Sequence, residues 1–182
     1  MIDKIAPLEK EKWQDYRLEY RSISHSYYDV KITPAEGSYH VSFVKKPFDV
    51  PFENNDHDKL FQPWWDDIKA WGIVEEDKLL AAIETTVEDW NNRLRITELW
   101  VDHSYRRQGI AKALMDIALQ RARDEGRRAV VLETQARNEA AVAFYIKYGF
   151  SLIGFDACAY HNDDLESKKV RMEFGILLDE VK

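Results

Sequence analysis

The 182-residue chain has a single cysteine, Cys158, and no apolar run of membrane-spanning length. A lone cysteine cannot close an intrachain disulfide, so the sequence makes no claim on an oxidising compartment. Cys158 falls in an expected strand and reads as a small core residue. The first residues, Met1-Ile2-Asp3-Lys4-Ile5, lack the basic head and apolar stretch of a signal peptide, and the expected location is cytoplasmic. An excess of basic charge is also missing: 26 Lys+Arg stand against 33 Asp+Glu, a net charge of -7. That balance gives no general attraction for nucleic acid, repels an anionic membrane surface and favours a cationic small molecule as partner. There is no His-x-x-x-His or Cys-x-x-Cys spacing, so no metal is expected. There is no Gly-x-Ser-x-Gly nucleophile elbow, and Cys158 has no activating base beside it in sequence, so no covalent enzyme intermediate is expected either.

What the chain does contain is apolar residues enough for a core, with 45% hydrophobic and 13% aromatic residues. Its length suits one domain, divided into an N-terminal strand, helix and cap region over residues 1–69 and a core over 70–182. In residues 8–23, Trp13, Tyr16, Tyr20 and Ile23 recur at intervals of three or four, which predicts an amphipathic helix. Residues 39–48 alternate as a strand, and Pro47, Pro51 and Asn54-Asn55-Asp56 then mark a loop. Strands are expected over residues 71–75, 78–90, 95–101, 129–134, 151–160 and 170–178. Helices are expected over 109–125 and 138–148, each followed by a glycine, Gly126 or Gly149, able to adopt the left-handed conformation. Helices alternating with strands predict a layered α/β domain whose sheet mixes antiparallel hairpins with a parallel pair.

One stretch specifies a chemistry. At Arg106-Arg107-Gln108-Gly109-Ile110-Ala111 a strand feeds through a basic, glycine-containing turn into a helix. Such a turn aims free backbone N–H groups and the positive end of a helix dipole at one point, which suits a phosphate or pyrophosphate. A second motif follows across an intervening strand, Asn138-Glu139-Ala140-Ala141-Val142-Ala143-Phe144-Tyr145-Ile146-Lys147-Tyr148-Gly149-Phe150.

The first motif resembles the Arg/Gln-x-x-Gly-x-Gly/Ala signature of the GNAT N-acetyltransferases, with Arg106, Gly109 and Ala111 in the defined positions. The second resembles that family's Asn-x-x-A-x-x-F-Y-x-x-x-G-F segment. The resemblance implies the GNAT acyl-CoA N-acyltransferase fold, with a splayed parallel strand pair, and acetyl-CoA as cosubstrate. Leu99, Trp100 and Val101 would offer exposed backbone to the pantetheine arm, as a sheet edge receives a strand. Phosphate contacts would fall on the backbone of Arg106, Arg107, Gln108, Gly109, Ile110 and Ala111, helped by Lys112. Asn138 would cap its helix and lie by the cofactor arm. Tyr145 would serve as general acid, since a phenol of pKa about 10 can protonate a leaving thiolate whose conjugate acid has a pKa of about 8.5. Without the motif, Tyr145 would read as a core aromatic beside Phe144 and Phe150.

An acceptor amine must lose a proton before it attacks, and a carboxylate is the usual remedy. Strand alternation puts Ala82, Glu84, Thr86 and Glu88 on one face of a strand and Ile96, Glu98 and Trp100 on one face of the next. Coincident faces would gather Glu84, Glu88 and Glu98 into an acidic patch, with Glu98 as base or amine anchor and Glu84 and Glu88 as substrate contacts. The plainer reading is a set of solvated carboxylates on an exposed sheet face.

Leu99-Trp100-Val101, Phe155-Asp156-Ala157 and the polar run Asn162-Asp163-Asp164-Leu165-Glu166-Ser167-Lys168 resemble streptothricin acetyltransferases, which inactivate an antibiotic by acetylating an amino group. A multiply cationic amine suits the net charge, the acidic strand faces and the tryptophans Trp64, Trp65, Trp71, Trp90 and Trp100. Two alternatives stand beside this: an acetyltransferase acting on a protein N-terminus or lysine, and a non-catalytic acetyl-CoA binder. The protein is expected to be a monomer or homodimer.

Overall fold

A computed structural model describes residues 1–178. In chain order its elements are β1 (Ala6–Pro7), α1 (Lys10–Trp13), β2 (Arg17–Ala35), β3 (Ser38–Lys59), β4 (Lys69–Glu75), β5 (Lys78–Glu88), β6 (Arg93–Val101), α2 (Ile110–Asp124), β7 (Ala129–Gln135), α3 (Glu139–Tyr148), β8 (Ser151–Asp156) and β9 (Arg171–Leu177). Seven strands form one sheet in the order β1-β4-β5-β6-β7-β9-β8, and β2 with β3 forms a separate two-stranded ribbon. β4, β5 and β6 are antiparallel neighbours, while β6 and β7 are parallel. This is the mixed sheet expected from strands alternating with helices. The described residues divide into two compact units: 1–20, 56–132 and those from Gly175 onward in the first, and 21–55 and 133–174 in the second.

In the first unit, α2 packs against β5 and β6 through a buried stripe of Ile110, Leu114, Met115, Ala118, Leu119 and Ala122. The spacing of three and four along this stripe is that of a helix with one core face. The helix opens at Gly109, whose φ of +83° favours glycine. It closes where Gly126 takes φ +64° and the N–H groups of Gly126 and Arg127 donate to the carbonyls of Arg123 and Ala122, a pair of bonds that satisfies otherwise orphaned carbonyls. A second cluster joins Leu8, Trp13, Leu18, Leu60, Phe61, Leu79, Ala82 and Trp100. Full burial of a leucine such as Leu18 contributes about 1.5–3 kcal/mol.

Within the second unit, α3 is capped by Asn138, whose side-chain oxygen accepts from the Ala141 N–H at 3.3 Å. Gly149 closes it with φ +118°. Glu139 fastens β2 to the start of α3: its carboxylate accepts from the backbone N–H groups of His25 and Ser26 at 2.9 and 3.1 Å and pairs with Lys45 at 2.9 Å. The Ser26 side chain above all, then Lys45 and the His25 N–H, lower its pKa to about 2 against the opposing effect of burial.

Several expectations need correction. The predicted helix over residues 8–23 is a single turn, α1, after which β2 begins at Arg17. Burial in β2 alternates, with Leu18, Ser24 and Ser26 inward and Ile23 outward. Serines on the covered face and an isoleucine on the open face hid the period of two. The loop expected around Pro47, Pro51 and residues 54–56 is instead part of β3. Pro47 and Pro51 are four residues apart, so both nitrogens fall on the same edge of the strand, and a two-stranded ribbon leaves one edge without need of donors. The strand expected over 151–160 stops at Asp156, whose carboxylate accepts from the Cys158 N–H at 2.9 Å and turns the chain. Cys158 is therefore exposed and not a core residue. The strand expected to reach Trp90 ends at Glu88, before a short 3-10 turn.

Candidate active site

The parallel register between β6 and β7 covers only Arg93, Leu94 and Arg95 against Ala129, Val130 and Val131. On its other side β6 stays paired with β5 as far as Val101. Leu99, Trp100 and Val101 thus belong to the part of β6 that runs beyond the β7 register. The Trp100 indole is buried and donates to the Glu19 carbonyl at 2.9 Å, which fixes this end of the strand.

The chain leaves β6 through a turn that the sequence builds from polar residues. Asp102 accepts from the Ser104 N–H at 2.9 Å, and the Arg106 side chain turns back to donate from Nε to the Val101 carbonyl at 3.0 Å. Burial pulls the Arg106 guanidinium below its ordinary pKa, opposed by the nearby Asp102. Arg107 has φ +63° and Gly109 φ +83°, two left-handed residues that curl the backbone into α2. Arg107, Gln108 and Gly109 are exposed, and Ile110 is buried as the helix begins. No side chain caps α2 at Gly109. The N–H groups of Ile110, Ala111 and Lys112 precede the first acceptor within the helix, so they point outward with the positive end of the helix dipole. A Cβ at Gly109 would meet only Ile2 Cδ1, at 3.6 Å, so the approach to these groups is open. Lys112 is paired with Asp116 at 2.8 Å, one helical turn on. The open N–H groups at this turn are therefore backbone ones, and Arg106 braces the turn through its bond to the Val101 carbonyl.

Beside β6 the first unit gathers carboxylates. Glu84 and Glu98 are register partners across β5 and β6, and both are buried, at 0% and 9% exposure. The strand faces do coincide, and the carboxylates are not solvated. An irregularity after Glu84 leaves Thr97 as an extra residue on β6, and its hydroxyl donates to Glu84 Oε1 at 2.8 Å. The Phe61 N–H donates to Glu84 Oε2 at 2.5 Å. Glu98 Oε2 accepts from the Tyr20 hydroxyl. Burial, then the neighbouring Asp58 and Glu84 carboxylates, raise the Glu98 pKa well above the usual range, against the Tyr20 hydrogen bond. Burial also raises Glu84, moderated by its two donors. A carboxyl held this way is a proton acceptor of unusual strength for its type.

Glu88 does not join this pair. It lies four positions along β5, about 13 Å from Glu84 at strand spacing, and faces Arg93 and Arg95, with Oε1 2.5 Å from Arg95 Nε and Oε2 2.6 Å from Arg93 Nη2. Its charge is matched there, so the acidic patch contains two of the three expected glutamates. Tyr20 and Asp58 were missed from sequence: one was assigned to a helix, the other lay beyond an expected loop. Alternation of Leu18 with Tyr20 was the only available signal for the first.

In the second unit, Tyr145 lies in the middle of α3, half-buried, its ring 5.7, 6.0 and 6.1 Å from those of Phe144, Phe150 and Phe174. Asn138 occupies the helix cap described above.

A sheet whose parallel pair stops short beside a glycine-started helix is the frame of an acyl-CoA N-acyltransferase. Residues 37–150 match the model of the acetyltransferase (GNAT) family, and the chain belongs to that family. It is 30% identical to the streptothricin acetyltransferase of Escherichia coli over 107 residues, 59% of this chain and 61% of that protein. It is 38% identical to the human N-acetyltransferase 8 over 88 residues, 46% of this chain and 39% of that protein. These matches span less than two thirds of the relatives' length. The fold is that of a nourseothricin acetyltransferase, with TM-score 0.74 at 19% identity over 96% of this chain and 98% of that one. It is similar also to a Bacillus anthracis chain assigned as a streptothricin acetyltransferase and solved with acetyl coenzyme A, with TM-score 0.72 at 22% identity over the same shares.

Proposed function

We propose that the protein is an acetyl-CoA-dependent N-acetyltransferase that acetylates an amino group of a cationic small molecule of the streptothricin type, and so inactivates an antibiotic in the cytoplasm, as a monomer or homodimer. The observation that carries the reading is the conjunction, on one strand, of an open β6 segment leading into an uncapped helix start and a buried carboxylate pair. Acetyl-CoA supplies the acetyl group as a thioester. The N–H groups of residues 109–112 would hold its pyrophosphate, and the backbone of Leu99–Val101 would pair with its amide-bearing arm. The lack of a side-chain cap at Gly109 supports that fit.

Glu98 would take a proton from the acceptor ammonium: an N–H bond breaks, an O–H bond forms, and the freed nitrogen lone pair attacks the acetyl carbonyl. Tyr145, by the motif it shares with the family, would give its phenolic proton to the sulfur as the carbon–sulfur bond breaks, and the second proton, lost from the acylated nitrogen as the amide forms, would restore the phenol through solvent. Glu84 would help to attract the cation, while Glu88 is retained by its arginines. The net charge of -7 favours such an acceptor over an anionic one.

The test is thiol release from acetyl-CoA in the presence of streptothricin, polyamines, or peptides with free N-termini or lysines. Release with streptothricin above the other amines is expected. Release with a peptide alone would replace this reading with protein acetylation. Binding of acetyl-CoA without release for any amine would leave a non-catalytic binder.

A further inference from the structure

Glu98 is surrounded by groups that act on its proton in opposite senses. Tyr20, from β2, donates its hydroxyl to Oε2. Glu84 faces Glu98 from β5 and is itself immobilised by the Phe61 N–H and the Thr97 hydroxyl. Asp58, near the end of β3, adds a second negative charge close by and is held by the Lys59 N–H at 2.7 Å and the Gln62 amide at 3.0 Å. Lys10 acts weakly on Glu84, and the Arg106 guanidinium interacts with Tyr20. Like charges at facing ladder positions repel, and the repulsion grows when neither is solvated. Glu84 has two donors, whereas Glu98 has one hydroxyl and a hydrogen-bonding Asp58 carboxyl that favours its neutral form, so the ionised state is the more secure on Glu84 and a shared proton goes to Glu98.

We propose that Tyr20 and Glu84 are opposed positioning residues for Glu98: the Tyr20 hydroxyl steadies the carboxylate as an ionised base, and the facing Glu84 carboxylate drives it to take up the acceptor's proton. Against the background of burial and Asp58, the pair tunes the pH at which the amine is deprotonated. This rests on the acetyltransferase reading for its consequence in catalysis, and on geometry alone for the titration of Glu98. The opposition follows from sign. A hydrogen bond donated to a carboxylate favours the charged form, whereas a neighbouring carboxylate favours the neutral one.

The experiment is a titration of glutamate side-chain carboxyls by carbon-13 NMR in the full-length protein without ligands, with Glu98 assigned by the signal lost in Glu98→Gln. Tyr20→Phe is expected to move the Glu98 midpoint up by about one pH unit, and Glu84→Gln to move it down by a similar amount. A variant that only loosened the fold would expose Glu98 and lower its midpoint in both cases, so shifts in the same direction, or none, would overturn the proposal. The acidic limb of kcat/KM with streptothricin as acceptor should move in the same opposed directions, and a limb that stays fixed in an active enzyme would also overturn it. If the titration shifts are opposed but wild-type protein releases no thiol with any amine, the acetyltransferase function falls while the hold of Tyr20 and Glu84 on Glu98 stands.

Discussion

Glu84 and Glu98 face each other on β5 and β6 with both carboxylates buried, an arrangement that costs stability unless one of them holds a proton. Glu98 is the one whose pKa is driven well above the ordinary range, first by burial and then by Asp58. A carboxyl with a folded pKa above its unfolded value binds its proton more tightly in the folded state. Stability therefore falls as pH rises from the unfolded carboxyl range through the folded pKa, and the loss is complete above it. Glu98→Gln should reduce this slope to the smaller part that the buried Glu84 keeps and stabilise the protein at the alkaline side by on the order of 1 kcal/mol, about 2–4 °C in Tm, while lowering kcat. Urea unfolding across pH 4–9 measures the first effect and thiol release the second. A variant less stable at every pH would show that the Glu98 charge holds the fold together.

The proposed anion cradle predicts a separable effect at Gly109. Its positive φ would cost any other residue about 1–3 kcal/mol in backbone strain, and Gly109→Ala and Gly109→Val share that cost. A Cβ here meets only the tip of Ile2, so the added bulk of valine is felt mainly by a ligand approaching the helix start. Acetyl-CoA affinity by calorimetry should fall about tenfold or more in Gly109→Val and by less in Gly109→Ala. Equal affinity in both variants and the wild type would remove the turn from the cofactor site.

Tyr145→Phe keeps the ring among Phe144, Phe150 and Phe174 and removes only the hydroxyl. With the phenol as acid, kcat should drop by about tenfold to a thousandfold with little change in acetyl-CoA affinity. Full activity would return Tyr145 to the role of a packing aromatic.

Legibility in the sequence followed locality. The turn from Arg106 to Lys112, the α2 and α3 boundaries and the Asn138 cap are set by residues within one helical turn of each other, and glycine at 109, 126 and 149 announces them. The pairing of Glu84 with Glu98 was reached because alternation along two strands is also local, although register across them was not readable. Tyr20 and Asp58 are brought to Glu98 by β2 and β3, strands separated from β6 by tens of residues. Nothing local marks that approach, and the helical spacing of Trp13, Tyr16, Tyr20 and Ile23 pointed away from it. The two prolines of β3 misled for a related reason. They read as breakers, yet a ribbon with an open edge tolerates them.

Glu88 provides the final contrast, because alternation alone placed it with the substrate carboxylates. It sits instead between Arg93 and Arg95, and Arg95 is itself buried, at 6% exposure. Those hydrogen-bonded ion pairs account for the depression of the Glu88 pKa, which burial by itself would have raised. Glu88→Gln leaves the Arg95 guanidinium short of its carboxylate partner in a desolvated position, and the expected cost is about 1–3 kcal/mol of stability. The acceptor KM should stay unchanged, since the charge removed was already neutralised within the fold. Glu84→Gln should behave in the opposite way, raising KM for a polycationic acceptor at low ionic strength, with the difference from wild type shrinking as salt screens the attraction. Thermal melts paired with a salt series of KM for the two variants separate the cases. A rise in KM for Glu88→Gln at unchanged Tm would put Glu88 back among the substrate contacts.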